Sequence, residues 1–214
     1  MSVRTADGGG GGIGRAVCRI LARDGARVVA TDINSKSVEE TVSMLVNPGE
    51  HVALSMNVTD KASVESVVKA TIDKLQAPPS LGTFLVTQVV TSALVEHGIT
   101  SGSIVNLSSI MGKTGNIGQC NYGASKAAVQ GLTKSSALEL ARVGVRVNCV
   151  LPGFTQTPMV ETVPEKVQKK VLKLTPLNRF AQPEEIAEVV AFLLSDKSSF
   201  MTGSCVEVTG GLGM

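Results

Sequence analysis

Tyr122 and Lys126 stand four residues apart. On a helix that spacing puts both side chains on one face. A lysine ammonium beside a phenol stabilises the phenolate and brings the tyrosine pKa down toward working pH. Such a phenol can hand a proton to a carbonyl oxygen or take one from an alcohol. Tyr122 is the only tyrosine in the chain, and Ser109 lies thirteen residues before it. On the Tyr/Lys pair alone, an exposed patch of helix is the simpler reading. A second group has the spacing for a different task. Gly8, Gly12 and Gly14 form a GxxxGxG pattern within DGGGGGIG. Glycines there let backbone approach a pyrophosphate at a helix N-terminus, where free N–H groups and the helix dipole favour anions. Asp32 ends the run RVVATD, eighteen residues after Gly14. A carboxylate at that place can accept both ribose hydroxyls of an adenosine, and it repels a 2′-phosphate. A glycine run alone also describes a flexible tail. Glycines, helix, strand and terminal aspartate together are far more specific.

The elements that must position these residues alternate between strand and helix. Residues Ser2 to Ala6 are expected as a first, poor strand, and a helix from Ile13 to Asp24 carries Ile13, Val17, Ile20 and Leu21 on one face. RVVATD, Arg27 to Asp32, is a second strand. Ser35 to Leu45 is a helix with Ser35 as its N-cap. His51 to Val58 is a third strand, followed by a helix that Thr59 or Asp60 caps and that runs to Gln76. After Ala77-Pro78-Pro79-Ser80 a second helical stretch begins at once, so helix follows helix with no strand between. Ser103 to Leu107 is a strand, and a helix from Asn121 to Ala141 carries Tyr122 and Lys126. Val145 to Leu151 is a buried strand whose C-terminal end leads into PGFTQTPM, on the ligand side of an open α/β sheet. Pro164 to Leu174 is a lysine-rich helix placed to act as a lid. Pro183 opens a helix at its first position, with Glu184 and Glu185 in the first turn. Ser204 to Val208 is the last strand.

Composition narrows the function class. The chain has 214 residues, fit for one domain spanning 1–214 with a substantial core. It is 43% hydrophobic and 18% charged, a folded and soluble composition with a net charge of only +2. That balance gives no case for nucleic acid or for an anionic membrane surface. Cys18, Cys120, Cys149 and Cys205 form no CxxC, and His51 and His97 are far apart, so no metal site is expected. The cysteines are expected reduced and mostly buried. No apolar run reaches the ~18 residues of a membrane span, and MSVRTADGGGGG lacks the apolar core of a secretory signal.

These motifs together resemble the short-chain dehydrogenase/reductase family. The match rests on Asp7 to Gly14, on Ser109, on Tyr122-Gly123-Ala124-Ser125-Lys126, on Pro152, Gly153 and Thr157, and on Thr209-Gly210-Gly211. Within the family the chain resembles the 3-oxoacyl-acyl-carrier-protein reductases and the type 8 estradiol 17-beta-dehydrogenases. The resemblance implies a Rossmann-like, doubly wound parallel sheet flanked by helices. It implies that Tyr122 exchanges a proton with the substrate oxygen, that Lys126 lowers its pKa and binds the nicotinamide ribose, and that Ser109 orients the carbonyl, with Ser108 structural. Cofactor contacts are implied for Gly8, Gly12, Ile13, Gly14, Asp32, Asn57, Val58, Pro152, Gly153, Thr155 and Thr157. Asp32 argues for NAD over NADP. The implied activity is NAD-dependent interconversion of 3-hydroxyacyl and 3-oxoacyl thioesters, carried by acyl carrier protein or CoA, with a 17-beta-hydroxysteroid as second substrate. The implied setting is the mitochondrial matrix, or else the cytoplasm. The implied assembly is a homotetramer, or a heterotetramer with a subunit like carbonyl reductase type 4.

The chain departs from the family at three places. Asp7 stands where the family has threonine, and Asn57 where relatives have aspartate. The family's fourth strand, its adjoining loop and the half-helix with the catalytic asparagine have no counterpart here; only Pro78-Pro79-Ser80-Leu81 fills that place. The expectation is a sheet lacking a central strand between the first strand and SIVNL. A truncated, catalytically poor subunit that binds NAD or a partner is therefore the alternative function.

Overall fold

Aliphatic and β-branched runs form the strands, and amphipathic segments between them form the helices. The computed structural model describes residues 3–75 and 84–214. Strand β1 (Val3–Asp7) passes through the glycine turn into α1 (Gly12–Arg23), and β2 (Arg27–Asp32) follows. Next come α2 (Ser35–Ser43), β3 (Val52–Ser55), α3 (Lys61–Leu75) and α4 (Phe84–Glu96). The second half runs β4 (Gly102–Leu107), α5 (Met111–Thr114), α6 (Cys120–Leu140), β5 (Val145–Pro152), α7 (Pro158–Glu161), α8 (Glu165–Leu174), α9 (Pro183–Leu194) and β6 (Cys205–Val208).

Several boundaries differ from expectation for local reasons. Asn34, not Ser35, caps α2, its side chain accepting from Ser37 N–H. Strand β3 is shorter than His51–Val58. The His51 Nδ1 accepts from Val28 N–H at 3.0 Å where a ladder would begin, and the Asn57 Oδ1 accepts from Thr59 N–H at 3.0 Å, turning the chain. Asp60 caps α3 through Ala62 N–H. The short helix α5 is a feature that the sequence did not suggest. The Ala77–Ser80 turn, the stretch Ala77–Gly82 and the α3 side chains of Thr71, Ile72 and Leu75 lie outside the described residues.

The strands form two parallel three-stranded sheets, ordered β1-β2-β3 and β4-β5-β6. Helices cover both faces. On one side α1 packs against α9, and a single core joins Ala6, Val28 and Ala30 of the first sheet to Val105 and Val150 of the second. On the other side Val64, Val67, Val86 and Val90 from α3 and α4 pack with Ile104 and Val147. Helix α9 grips both halves: Ser103 Oγ donates to Leu193 O at 2.9 Å and Arg4 Nη2 to Leu194 O at 3.3 Å. Among the described residues no ladder joins β1 to β4, so the described strands fall into two half-sheets at the place where the sequence leaves out a strand. Thr5 on β1 and Asn106 on β4 are both buried, and Thr5 Oγ1 and Asn106 Oδ1 have no partner among the described residues. Each orphaned oxygen costs about 1–3 kcal/mol.

Candidate active site

The site gathers at the C-terminal ends of β1, β4 and β5, where parallel strands leave their carbonyl ends open. Gly8 adopts φ 69°, and a Cβ on Gly14 would stand 2.0 Å from Gly8 O. The glycine turn thus lies flat against α1, which no side chain can permit. Gly11 caps α1 without a side-chain hydrogen bond, so the first N–H groups of that helix remain available to an anion. A phosphate-bearing cofactor fits this cradle. A Cβ on Gly12 would stand 3.3 Å from Thr157 Cγ2, which brings the turn and the segment after β5 together across one space.

Lys126 and Tyr122 lie in the first two turns of α6. The Lys126 Nζ is 5.8 Å from the centroid of the Tyr122 ring. The ammonium donates to Leu107 O, at the end of β4, over 3.1 Å. Burial pushes the Lys126 pKa down, opposed by the nearby Cys149 thiol. Ser108 Oγ donates to Lys126 O at 2.7 Å and so fixes that turn of α6 to β4. A Cβ on Gly112 would meet the Lys126 carbonyl carbon at 2.7 Å, so α5 reaches α6 only because residue 112 is glycine. Ser109 Oγ accepts from Met111 N–H at 3.2 Å. Its hydroxyl hydrogen remains free to turn toward a ligand. Among the described residues no group hydrogen-bonds the Tyr122 hydroxyl.

A single cavity of about 970 Å³ is lined by Gly8, Gly12, Ile13, Gly14, Ser109, Tyr122, Lys126, Pro152, Gly153, Thr155 and Thr157. Eleven residues singled out by sequence therefore face one space. Three do not. Asp32 lies outside the cavity at the end of β2, where its Oδ2 accepts from Gly10 N–H at 3.3 Å and its Oδ1 from Asn34 N–H at 3.1 Å. Asn57 spends its amide oxygen on Thr59, and Val58 packs beside the α3–α4 core. Arg15 braces the turn from behind, with Nη2 donating to Gly10 O at 2.9 Å and to Glu40 at 2.8 Å. Sequence reasoning missed Met111, Phe154, Met159 and Val163, which line the cavity. The signal available was their nearness in sequence to Ser109 and Thr157.

Asp7 is the discordant group. It lines the cavity beside the glycine turn, where its Oδ1 accepts from Thr31 Oγ1 at 3.2 Å. Burial raises its pKa, with Asp32 adding in the same direction and the Gly8 N–H and Thr31 hydroxyl opposing. Among the described residues no cluster of His, Cys, Asp or Glu could hold a metal, and no helix is long and apolar enough to cross a membrane. All four cysteines are free. Cys18 and Cys149 are buried, Cys205 is half-buried and Cys120 is exposed, so fewer are buried than composition suggested.

Comparison with known proteins agrees with this geometry. A family model described as short chain dehydrogenase matches residues 6–78, and one described as enoyl-(acyl carrier protein) reductase matches residues 71–213. The chain is 42% identical to a (3R)-3-hydroxyacyl-CoA dehydrogenase of Homo sapiens over 245 residues, covering 97% of this chain and 94% of that protein. That span exceeds the 214 residues present, so the relative carries residues with no counterpart here. It is 54% identical over 132 residues to an estradiol 17-beta-dehydrogenase 8 of Callithrix jacchus, covering 62% of this chain and 98% of that sequence. An actinorhodin polyketide ketoreductase solved with NADPH superposes with a TM-score of 0.88 at 29% identity, over 99% of this chain and 97% of that one. Two matched models, a near-full-length relative and a shared cavity of glycine turn, Ser109, Tyr122 and Lys126 lead to one conclusion: the chain belongs to the short-chain dehydrogenase/reductase family of oxidoreductases.

Proposed function

We propose that the protein is an NAD(H)-dependent oxidoreductase that interconverts 3-hydroxyacyl and 3-oxoacyl thioesters, with a 17-beta-hydroxysteroid as the second substrate class. One observation carries the reading: Ser109, Tyr122 and Lys126 share a single cavity with the glycine cradle of α1. The nicotinamide, when bound, supplies or accepts the hydride. The residues of the chain do the rest. The unpartnered Tyr122 hydroxyl gives its proton to the substrate oxygen in reduction and takes it back in oxidation. The Ser109 hydroxyl hydrogen, not committed to the protein, orients that oxygen. Lys126 places its ammonium 5.8 Å from the centroid of the Tyr122 ring, beside the group that moves the proton. Gly8, Gly12, Ile13 and Gly14 receive the pyrophosphate, while Pro152, Gly153, Thr155 and Thr157 form the opposite wall. The names of the human and marmoset relatives, a hydroxyacyl-CoA dehydrogenase and an estradiol dehydrogenase, support these two substrate classes.

Asp32 supports NAD over NADP, since a carboxylate at the end of β2 repels a 2′-phosphate. Ile33, next to it, is 72% exposed and free to be replaced. Asp32→Ala with Ile33→Arg is expected to equalise NADH and NADPH use, and unchanged preference in steady-state kinetics counts against the assignment. Tyr122→Phe is expected to abolish turnover of acetoacetyl-CoA while leaving NADH binding intact. A second reading, a catalytically poor subunit that binds cofactor or partner, is favoured by the split sheet. It predicts NADH binding without acetoacetyl-CoA-dependent NADH consumption by a protein whose intact mass is 22.2 kDa. The tetramer, the carbonyl reductase type 4-like partner and the mitochondrial setting belong to this proposal as further expectations.

A further inference from the structure

Strands β5 and β6 each carry a cysteine, and their ladder puts the two side by side. Cys149 is in register with Cys205, and Val150 with Val206. Side chains alternate across a strand, so residues paired in a parallel ladder share a face. Val150 and Val206 pack into the α1–α9 core. Cys149 and Cys205 therefore point to the opposite face, beneath α6. Asn106 of β4 continues the row, in register with Cys149, and its amide donates to Thr133 Oγ1 of α6 at 2.9 Å. The Cys149 thiol lies within hydrogen-bonding reach of both the Thr133 hydroxyl and the Cys205 thiol. Backbone and side-chain bonds hold this register: Cys149 N–H donates to Ser204 O at 2.8 Å, and Ser204 N–H to Asn148 Oδ1 at 3.1 Å. The two thiols differ in access. Cys149 is fully buried, while Cys205, the first residue of β6, is half-buried.

We propose that Cys149 and Cys205 form an oxidation site, which a peroxide closes into a reversible intrachain disulfide. Neighbouring strands stand about 4.8 Å apart, inside the ~4.4–6.8 Å range of Cα separations that a disulfide spans. Paired side chains in a parallel ladder stand side by side, so their Cβ atoms remain farther apart than the ~3.8 Å of a relaxed bridge. Strand β6 is only four residues long, and its first residue has to lean toward β5 to close the bond. A bridge closed under strain is readily reduced, which suits a reversible modification better than a structural link. The two steps balance. The half-buried Cys205 sulfur attacks hydrogen peroxide and the O–O bond breaks. Cys205 becomes a sulfenic acid, and its thiol proton leaves with the departing hydroxide as water. The Cys149 sulfur then attacks the Cys205 sulfur. The S–S bond forms, the S–O bond breaks, and the hydroxide leaves with the Cys149 proton as a second water. Two thiols are oxidised and one peroxide is reduced. Neither cysteine lines the cavity. The bridge nevertheless stands one position along β5 from Val150, the register partner of Leu107, whose carbonyl holds the Lys126 ammonium.

The test exposes the full 214-residue protein to hydrogen peroxide, blocks remaining thiols under denaturing conditions, and maps tryptic peptides without reduction. Cleavage after Arg146, Lys166 and Lys197 puts Cys149 in peptide 147–166 and Cys205 in peptide 198–214, while Cys18 and Cys120 fall in other peptides. The expected product is the 147–166 peptide joined to the 198–214 peptide, lighter than their sum by two hydrogens and separated again by dithiothreitol. Blocking of Cys149 is expected to fall at least ~10-fold after peroxide in the native chain and to be unchanged in Cys205→Ser, since a buried thiol is inert by itself. In Cys149→Ser the Cys205 sulfenic acid is expected to persist and to be trapped by dimedone. Three results overturn the proposal: Cys205 oxidised to sulfinic acid while Cys149 stays a free thiol, Cys205 joined only to Cys120 of a second molecule, or Cys205 left reduced where Cys120 is oxidised. None of these readouts depends on turnover or cofactor, so the outcome is separate from that of the enzymatic reading.

Discussion

At the scale of single residues, Asp7 is the group most at odds with the work of the site. A carboxylate beside the glycine cradle repels a pyrophosphate, by roughly 1 kcal/mol at a separation of several ångströms in a partly solvated site. Asp7→Thr is therefore expected to tighten NADH binding about fivefold in a titration of NADH fluorescence or by calorimetry. The pH dependence has a definite sign. Burial raises the Asp7 pKa above the usual carboxylate value of 3.8, so its proton is held more tightly in the folded chain. Folded stability contributed through Asp7 falls as pH rises from about 3.8 through that raised value, and cofactor repulsion grows over the same range. In Asp7→Thr this contribution to both trends disappears. The chemistry of Ser109, Tyr122 and Lys126 was legible in sequence, because helical spacing alone places Tyr122 and Lys126 on one face. The constraints that hold them were not. Gly112 against the Lys126 backbone and Ser108 on Lys126 O depend on how α5 and α6 meet β4, and no local pattern encodes that meeting. Asn57 shows the converse. It stands where relatives have an aspartate and was expected at the cofactor, yet its amide oxygen closes a turn on Thr59.

At the scale of elements, strands and long helices followed from aliphatic runs and amphipathic spacing, while their ends followed from capping details. The start of α9 is the clearest instance. Gln182 N–H donates to Glu185 Oε2 at 2.8 Å, and Arg179 meets the same carboxylate through two nitrogens at 2.6 and 2.7 Å. The Arg179 hydrogen bonds, aided by the Gln182 N–H, hold the Glu185 carboxyl down to about 2. Its contribution is present above the ordinary carboxylate range and is lost as pH falls from about 4.5 toward 2. The ion pair is exposed and adds little by itself; the cap is the larger part. Glu185→Ala is expected to lower stability by about 1 kcal/mol in urea denaturation at pH 7, and by clearly less at pH 2.5. Because α9 holds both half-sheets through Leu193 O and Leu194 O, fraying at its start weakens the joint between them. Helix α8, expected from sequence as a lid, has no buried residue among its ten. The segment around it is closed at its base by Ala181 N–H donating to Phe154 O at 3.0 Å and by stacking of Phe154 on Phe180.

At the scale of the whole molecule, the split sheet decides how much the rest can do. Helix layers on both faces hold the halves in one body, and the sequence disclosed the break because its pattern shows no strand between the two helical stretches on either side of Pro78-Pro79. Cofactor that binds only the folded chain stabilises it by mass action, about 2.7 kcal/mol at a hundredfold excess over Kd. For a chain of this size that corresponds to roughly 5–10 °C in melting temperature. NADH is expected to produce a shift of that order at saturation; an unchanged melting temperature would mean that the cradle of Gly8–Gly14 does not receive it. The most direct measurement of the central claim is acetoacetyl-CoA-dependent oxidation of NADH, followed at 22.2 kDa intact mass, for the native chain and Tyr122→Phe side by side. The account predicts turnover by the native chain and a loss of at least ~100-fold in the variant, with NADH binding unchanged. Equal rates in the two proteins, or NADH binding without any turnover by the native chain, would contradict it.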